Sequence, residues 1–451
     1  MAQVITVGSG LGGFTAIAPQ PSYGGTFATP TRPIYGLKSN KATHDPHIVQ
    51  GTGYLEYGRI VDIGAAHVQT YLDAKGTLVC DAFNSGLALL LATAMGNAGQ
   101  LVQNGSSALY ELGGSFGVRP EAPETHAAET WESTATYSIE EQIVLEGTTF
   151  YKNIKPAGNT NKKPSTESTF WTAIAAWASG TTYSVGNKVA YTPSGGKAAV
   201  YTCIKANAKG EAEGPNNSAC WTSQQAQSGS QFDMQLGVPT NQGELTPWNY
   251  HSCMITKAEF VFERTGLVSC TFDWDAQYIE NTTALITPTM STSAAPFSMS
   301  NTASVFKIGA PGSQVTLPGV RKLTVTLQRK LAIDRVYLGE QRKQIPSTNG
   351  MVDIMVAAEM DYTNQAKAVL ETFLTNSPQA LTVSAVGNAV GTVGNEELSF
   401  EMSNGFIESG GEAPLDGMDI VKNTVNLKGT INSTNANPLK AVLKTGVDTG
   451  F

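Results

Sequence analysis

The sequence has little cysteine, little charge and no long apolar run. Five of its 451 residues are cysteines and 15% are charged. A membrane-spanning helix needs about 20 consecutive apolar residues, and no run approaches that length, so no membrane span is expected. The N-terminus also lacks a basic segment followed by an apolar stretch, so secretion by a standard signal is not expected. No Cys-x-x-Cys pair occurs, so the sequence has no cysteine motif for zinc binding or redox chemistry.

Negative charge is unevenly distributed along the chain. The net charge is −8, yet residues 127–224 hold eight Glu and eight Lys with no Asp or Arg, so the whole excess lies in the remainder. DNA recognition through phosphates needs clustered Lys and Arg, and an acidic body argues against it. The 46 glycines and 21 prolines favour β-sheets joined by turns.

A glycine-rich motif near the N-terminus is incomplete. Gly8–Gly13 matches the G-x-G-x-x-G pattern of dinucleotide sites, but Pro19 and Pro21 prevent the helix that must follow, and the first acidic residue is Asp45. We interpret this stretch as a flexible N-terminal arm that could reach a neighbouring subunit in an assembly.

The histidines do not form a catalytic or metal-binding pattern. His44 and His47 flank Pro46, which prevents the helical geometry that would bring both onto one metal, and a loop is predicted here. The other three have no nearby Ser, Cys or carboxylate arrangement for nucleophilic catalysis. The sequence therefore predicts a protein that is not an enzyme and has no metal site and no cofactor.

An internal repeat is the clearest signal in the sequence. Trp131–Ile139 is matched 46 residues later by Trp177–Val185, and the offset becomes 50 towards Trp171 and Trp221. The apolar positions alternate as in short strands, so each copy is predicted to be a small three-stranded module. A module of this size buries little surface, and its aromatic residues are therefore first of all core residues.

The second copy resembles the small chitin-binding type of carbohydrate-binding module. It carries W-x5-Y-x-V-G-x-x-V followed by Y-x-C and a closing Trp. The resemblance implies weak glycan contact, and its candidate residues are Trp131, Tyr137, Trp177 and Tyr183. That family carries an exposed aromatic residue ahead of the closing Trp, and the equivalent stretches here, Gly210–Pro215 and Asn161–Pro164, contain no aromatic residue. A scaffold that decorates a surface is the alternative.

The five cysteines allow two interpretations. All of them can be reduced core thiols, or Cys203 and Cys220 can form a disulfide that staples the second copy alone. The first copy has Asn153 and Phe170 at the corresponding positions.

The rest of the chain falls into two parts that resemble each other weakly. Each has an alternating strand, at 60–71 and 350–362, followed by an amphipathic helix at 81–95 and 364–376. Each then has a strand pair: 257–263 with 267–274, and 397–402 with 421–431. A further hairpin is predicted at 322–338.

The first of these strand pairs carries a resemblance to a known family. Cys253–Trp274 resembles the hairpin of the major tail tube proteins of long-tailed, siphovirus-type bacteriophages, and Asn423–Asn432 resembles their final strand. Alternation puts one face of the hairpin in a core and leaves the other for a neighbour or solvent. Its aromatic residues mark it as the candidate assembly element: Phe260, Phe262, Phe272 and Trp274.

The resemblance implies a mainly β protein with two tail-tube-like barrel or sandwich domains, each with one flanking helix. We expect the first domain at residues 1–126 and 225–283, two inserted modules at 127–174 and 175–224, and the second domain at 284–451. These parts are called the first half, the insert and the second half below.

The same resemblance implies a structural virion protein that is assembled in the host cytoplasm. Three chains would form a pseudo-hexameric ring, and stacked rings would form a tube for phage DNA, which passes without specific binding. The implied partners are further copies, the tape measure protein, tail terminator and distal tail proteins, and host surface glycans. The alternative is a surface or secreted glycan-binding protein in which the aromatic modules are the functional part.

Overall fold

The structure is a computed structural model of the chain. It describes residues 12–20, 24, 27–50, 67–95, 102–103, 110–115, 129–131, 133, 143–155, 159–184, 187–192, 199–203, 214–215, 221–223, 231–240, 244–286, 288, 290–344, 346–390, 394–409, 422–430 and 438–447. These residues form 27 strands and two helices. The prediction of a mainly β protein is confirmed.

The elements of the three parts follow one another in chain order. Before the insert lie β1 (Phe14–Pro19), β2 (Arg32–Pro33), β3 (Leu37–Gln50), β4 (His67–Asp81), α1 (Leu87–Met95), β5 (Val102–Gln103) and β6 (Tyr110–Ser115). The insert contains β7 (Glu129–Thr130), β8 (Ile143–Glu146), β9 (Thr149–Asn153), β10 (Trp171–Ala173), β11 (Lys188–Tyr191), β12 (Ala199–Cys203) and β13 (Trp221–Ser223). The first half then continues with β14 (Phe232–Pro239), β15 (Leu245–Glu263), β16 (Ser269–Ala276) and β17 (Tyr278–Glu280). The second half contains β18 (Val305–Gly309), β19 (Val315–Thr316), β20 (Val320–Gln328), β21 (Leu331–Ala332), β22 (Ser347–Thr348), β23 (Asp353–Asp361), α2 (Asn364–Leu374), β24 (Gln379–Val390), β25 (Gly394–Ser409), β26 (Lys422–Gly429) and β27 (Lys440–Thr445).

Alternating apolar and polar residues form the long strands. In β20, Leu323, Val325 and Leu327 are buried, whereas the threonines between them are half-buried, because successive side chains of a strand point to opposite faces. β23 and the later part of β15 follow the same pattern. The strand predicted at 350–362 is confirmed as β23, and the helix predicted at 364–376 is confirmed as α2.

In the first half the start of the predicted helix and the loop predicted around His44 are wrong. The helix predicted from residue 81 begins only at Leu87, because β4 continues through Asp81 as the partner of β16. His44 and His47 lie in strand β3 rather than in a loop, although Pro46 lies between them. A proline is tolerated in an edge strand because the N–H that it lacks would otherwise face away from the sheet.

Two predicted strand pairings of the second half are wrong as well. No hairpin forms at 322–338, since β20 pairs with β15 and β23 while β21 pairs with β22. Residues 397–402 do not pair with β26. They pair with β24 and β27, and β26 pairs with the part of β25 that starts at Gly405.

The strands of both halves pair in the same pattern. In the first half the earlier part of β15 lies between β14 and β17, and its later part pairs with β16, which leads to β4 and β3. In the second half the earlier part of β25 lies between β24 and β27, and its later part pairs with β26, which leads to β23 and β20. β1 and β18 extend the two patterns through their pairings with β14 and β24.

Two strand pairings join the halves into a continuous sheet. The later part of β15, Lys257–Glu263, pairs antiparallel with Lys322–Gln328 of β20. β27 also pairs with β6 across the halves. A single cluster of buried apolar side chains extends from Ile17 to Leu443. The predicted boundary between the two domains at residues 283 and 284 stays a prediction.

The insert contains two small sheets with a core between them. The first sheet has the order β10-β9-β8-β7 and the second has the order β11-β12-β13. The first sheet therefore has one strand more than the three predicted, the short strand β7, which pairs with β8 in parallel. Phe150 of the first sheet and Val200 of the second lie in the same buried cluster. The two repeat copies therefore pack on each other. None of the described helices is long and apolar enough to cross a membrane.

Candidate functional site: assembly surfaces and aromatic modules

The aromatic residues of the predicted assembly hairpin point into the core. Phe260 and Phe272 are fully buried, and Phe262 and Trp274 are 2% exposed. The rings of Phe260 and Phe400 lie 4.7 Å apart, so the hairpin packs directly on the second half. These side chains stabilise the subunit and are not available to a neighbour. Any contact of this hairpin with another subunit must use its opposite face.

That opposite face carries paired charges and threonines. Lys257 Nζ lies 3.3 Å from Glu259, and Lys322 Nζ lies 3.4 Å from Glu263 on the neighbouring strand. Asp273 accepts a 2.7 Å hydrogen bond from the Thr77 hydroxyl. Exposed ion pairs of this kind contribute little stability. Their main effect is that cations and carboxylates on this face neutralise each other.

A long segment of the second half is fastened to the first half by a buried lysine. Residues 329–352, called the strap, connect β20 to β23. Lys343 in the strap is 2% exposed, and its ammonium group contacts Asp73 of β4 and lies 2.5 Å from Asp275 of β16. Gln277 donates a hydrogen bond of 3.0 Å to the Lys343 carbonyl oxygen. The strap thus contacts the middle of β4 and the end of β16.

The two carboxyl groups around Lys343 have opposite pKa shifts. Burial raises the pKa of Asp275 to about 7 despite the nearby ammonium group. Burial also opposes ionisation of Asp73, but hydrogen bonds and charge attraction from Lys343 outweigh it and lower the pKa of that carboxyl. Sequence reasoning did not identify this cluster, because its members are about 70 and 200 residues apart in the chain and no local motif connects them.

An aromatic group beside the strap completes this contact. The His251 ring stacks on Tyr278 with centroids 3.9 Å apart, and the Arg342 guanidinium lies 4.0 Å from the centroid of the Tyr278 ring. Burial lowers the pKa of His251 to about 4. The Glu280 carboxylate, 3.6 Å away, is held by Thr282 and its pKa is lowered to about 2. This group is a polar and aromatic contact between the halves.

The aromatic residues predicted to contact glycans are mostly internal. Tyr183 is buried and its hydroxyl accepts a 2.8 Å hydrogen bond from the Ala178 N–H. Trp131 and Trp177 are half-buried and pack on the cores of their modules. Tyr137 lies outside the described residues. Its role, and that of the other three residues in glycan contact, stays a prediction.

The second module holds a group of partly exposed rings, of which the sequence identified Trp177 but not Tyr191 and Tyr201 as candidate glycan contacts. Trp177 meets Tyr191 edge to face at 5.6 Å, and Tyr191 meets Tyr201 edge to face at 5.7 Å. Perpendicular rings do not form the flat platform on which a sugar ring stacks. Val189 and Tyr191 lie on the same face of β11, because successive side chains of a strand point to opposite faces.

The disulfide predicted in the second module is not tested. Cys203 is fully buried, and its sulfur lies 3.9 Å from the Tyr183 carbonyl oxygen. Cys220 lies outside the described residues. The pairing of Cys203 with Cys220 stays a prediction.

Comparison with known proteins gives one family. A family model described as "Phage tail tube protein" matches residues 10–429, which include the insert and most of both halves. No curated protein matches the chain.

Proposed function

The chain belongs to the phage tail tube protein family, and we propose that it is the repeating subunit of a siphovirus-type tail tube. In this proposal copies of the chain join into rings, the rings stack, and the resulting tube conducts the genome into the host. The chain acts through its geometry and carries out no catalysis. It is assembled in the host cytoplasm and becomes part of the virion tail.

The observation that carries the proposal is the repeated strand pattern together with the junction between β15 and β20. Each half pairs its strands in the same order, and the later part of β15 joins β20 of the other half into one sheet. A contact between two unlike edges closes a ring when repeated rotation brings the last copy back to the first. In the proposal the junction between chains repeats in this way, and the edges that it uses are paired.

The repeat also sets the ring size in the proposal. Two similar halves in one chain make three chains equivalent to six units, so we propose a homotrimeric, pseudo-hexameric ring. The tape measure protein would occupy the lumen before ejection, and the tail terminator and distal tail proteins would bind the two ends of the tube. These partners follow from the family and not from a described contact.

We propose that the face of the continuous sheet opposite the core lines the lumen. Several cations on this face are paired with carboxylates, as in Lys257–Glu259 and Arg321–Asp361, and the chain is acidic overall. DNA phosphates would find few uncompensated cations on such a surface. DNA would then pass through without specific binding, because the field of the protein repels it.

The insert is assigned a peripheral role. Its Trp171 and Trp221 are 2% exposed and form module cores, and the partly exposed rings near Tyr191 do not form a platform. We propose that the two modules decorate the outer surface of the tube and contact host glycans weakly, if a glycan is present.

Electron microscopy of the purified chain tests the assembly. We expect long hollow tubes with regular ring spacing. Strong retention of the chain on chitin without any polymer would contradict the proposal and favour the glycan-binding alternative.

A deletion of residues 127–224 tests the placement of the insert. Tubes should still form, because domains inserted at the surface have closely spaced ends and can be removed. The matched control is the full chain purified in parallel. A deleted chain that folds with an unchanged β spectrum but forms no tubes would show that the insert belongs to the assembly contact.

A further inference from the structure

The strands β3 and β20 occupy the same position in the two halves. Each is preceded by a glycine in the left-handed region, Gly36 and Gly319, whose carbonyl oxygen accepts a hydrogen bond from Asp81 or Asp361 respectively. The register irregularity then falls between residues 37 and 39 in one strand and between 320 and 322 in the other. An ion pair follows at the same place, Lys38–Asp81 at 2.6 Å and Arg321–Asp361 at 2.7 Å. Residues 37–45 of β3 therefore correspond to 320–328 of β20.

The corresponding strands differ in what covers their outer edge. The edge of β20 is covered by the later part of β15, with Lys257 opposite Gln328. Among the described strands β3 pairs with β4 alone, so the same edge is open. The burial of the side chains follows this difference. Val325 and Leu327 are buried, whereas Ala42 is half-buried and His44 is exposed at the matching positions.

The strand that would cover this edge also has a counterpart in the second half. The later part of β15 shifts register against β16 between Ile255 and Lys257, and β25 shifts against β26 between Ile407 and Ser409. Ser409 thus corresponds to Lys257. Ser409 is exposed, and β25 beyond Gly405 pairs only with β26 in the part of the chain that the structure describes.

We propose that the open edge of β3 in one copy of the chain receives the end of β25, at Ser409, of a second copy. The two strands are antiparallel, with Asp45 of one copy opposite Ser409 of the other, as Gln328 lies opposite Lys257 within each chain. Pro46 follows Asp45, and a residue without an N–H is suited to the end of a ladder. The inference rests on the proposed assembly of rings and specifies its contact. Residues 410–421 lie outside the described part, so only this first pair is assigned.

The two helices provide an independent observation that supports this contact between copies. All nine residues of α1 are buried, and Arg329 of the second half donates a 2.9 Å hydrogen bond to the Thr93 carbonyl oxygen near its end. The corresponding helix α2 has exposed residues at 367, 368 and 371, and Leu374 is 80% exposed. α1 lies at the junction between halves. α2 lies where the same junction would form with another copy, which would cover Leu374.

Cysteine cross-linking of assembled tubes tests the pairing. The test variant carries Asp45→Cys and Ser409→Cys. Directly opposed residues of an antiparallel pair have Cα atoms about 4.5–5.5 Å apart, within the roughly 4.4–6.8 Å of disulfides. The matched control carries Lys257→Cys and Gln328→Cys, the same geometry within one chain. An out-of-register variant with Lys41→Cys and Ser409→Cys separates the thiols by about 13 Å along the strand.

Non-reducing electrophoresis of tubes after mild oxidation gives the result. We expect ladders of linked chains for the test variant, at least about tenfold more than for the out-of-register variant given the distance limits of disulfides. The matched control should stay monomeric and show an intrachain bond by mass spectrometry. If every variant forms tubes but only the matched control forms its disulfide, the proposed pairing is refuted and the proposed tube assembly is not.

Two other outcomes also decide the proposal. A bond between residues 45 and 409 within one chain would mean that the chain covers its own edge, and would overturn the contact between copies. Absence of tubes from every preparation, including the unmodified chain, would refute the proposed function and with it this contact. Single-cysteine variants control for the native thiols, of which Cys80, Cys253 and Cys270 are buried.

Discussion

Replacing Lys343 tests whether the strap joins the two halves as the structure indicates. The ammonium group is closed off from water between Asp73 and Asp275. Lys343→Met keeps the length of the apolar side chain and removes only the charge. Two neighbouring buried carboxyl groups then lack their cation, and the strap loses its attachment to β4 and β16.

The expected cost is large for a single substitution. Breaking a buried ion pair by removing one partner costs about 3–5 kcal/mol. With an unfolding entropy of about 2.1 cal/mol/K per residue, this corresponds to a fall in Tm of roughly 3–5 °C for a chain of this length. Scanning calorimetry of the unassembled chain at pH 8 measures it.

Lys330→Met is the matched control in the same strap. Lys330 Nζ lies 2.9 Å from Asp353, but both side chains are more than a third exposed. An exposed pair of this kind contributes about 0–1 kcal/mol, so the Tm of this variant should change by no more than about 1 °C. Equal Tm values for the two variants would refute the buried attachment.

The pH dependence gives a second check on Lys343. The pKa of Asp275 is raised to about 7 in the folded chain, above its unfolded value of about 3.9. Its contribution to stability is therefore present at low pH and is lost as the pH rises through about 7. Without Lys343 both carboxyl groups should hold their protons more strongly. The Tm difference between Lys343→Met and the unmodified chain should consequently be smaller at pH 5 than at pH 8, and a larger difference at pH 5 would contradict this account.

Two further substitutions test the core and the histidine beside the strap. A Cβ on Gly76 would overlap the Lys41 carbonyl oxygen and lie 2.5 Å from Trp274 Cζ2, so Gly76→Ala should destabilise the chain by about 1–3 kcal/mol. A Cβ on Gly180 would have no atom within 4 Å. Gly180→Ala should therefore change the stability measured by calorimetry by no more than about 0.5 kcal/mol. The pKa of His251 is lowered to about 4 by burial, below its unfolded value of about 6.5. Stability should therefore fall by roughly 3 kcal/mol as the pH drops from 6.5 towards 4, and His251→Gln should abolish that part of the pH profile; an unchanged profile would exclude His251 as its source.

Local patterns in the sequence predicted individual elements well. Alternation identified β15, β16 and β23, and helical periodicity identified α2, because these patterns reflect which face of a single element is buried. The spacing of Trp131 and Trp177 revealed the internal repeat. The residues around 253–274 indicated the family that the match over residues 10–429 gives.

Which strands pair with each other could not be predicted in the same way. Residues 322–338 contain a turn between apolar stretches and suggest a hairpin, yet β20 pairs with β15, about 65 residues earlier in the chain. β4 continues to Asp81 because β16 is there to pair with it, although the sequence around that residue suits a helix start. Long-range pairing overrides local propensity in these cases.

The sequence by itself determined the mainly β composition, the repeated modules, the acidic body and the tail tube family, since each depends on residue identity and spacing along the chain. The tertiary structure alone decided that Lys343 meets Asp73 and Asp275, that the hairpin aromatics face inward, and that β20 has a covered edge where β3 has an open one. The physical reason is distance in sequence. Contacts between residues far apart in the chain depend on how whole sheets pack, and no local pattern encodes that packing.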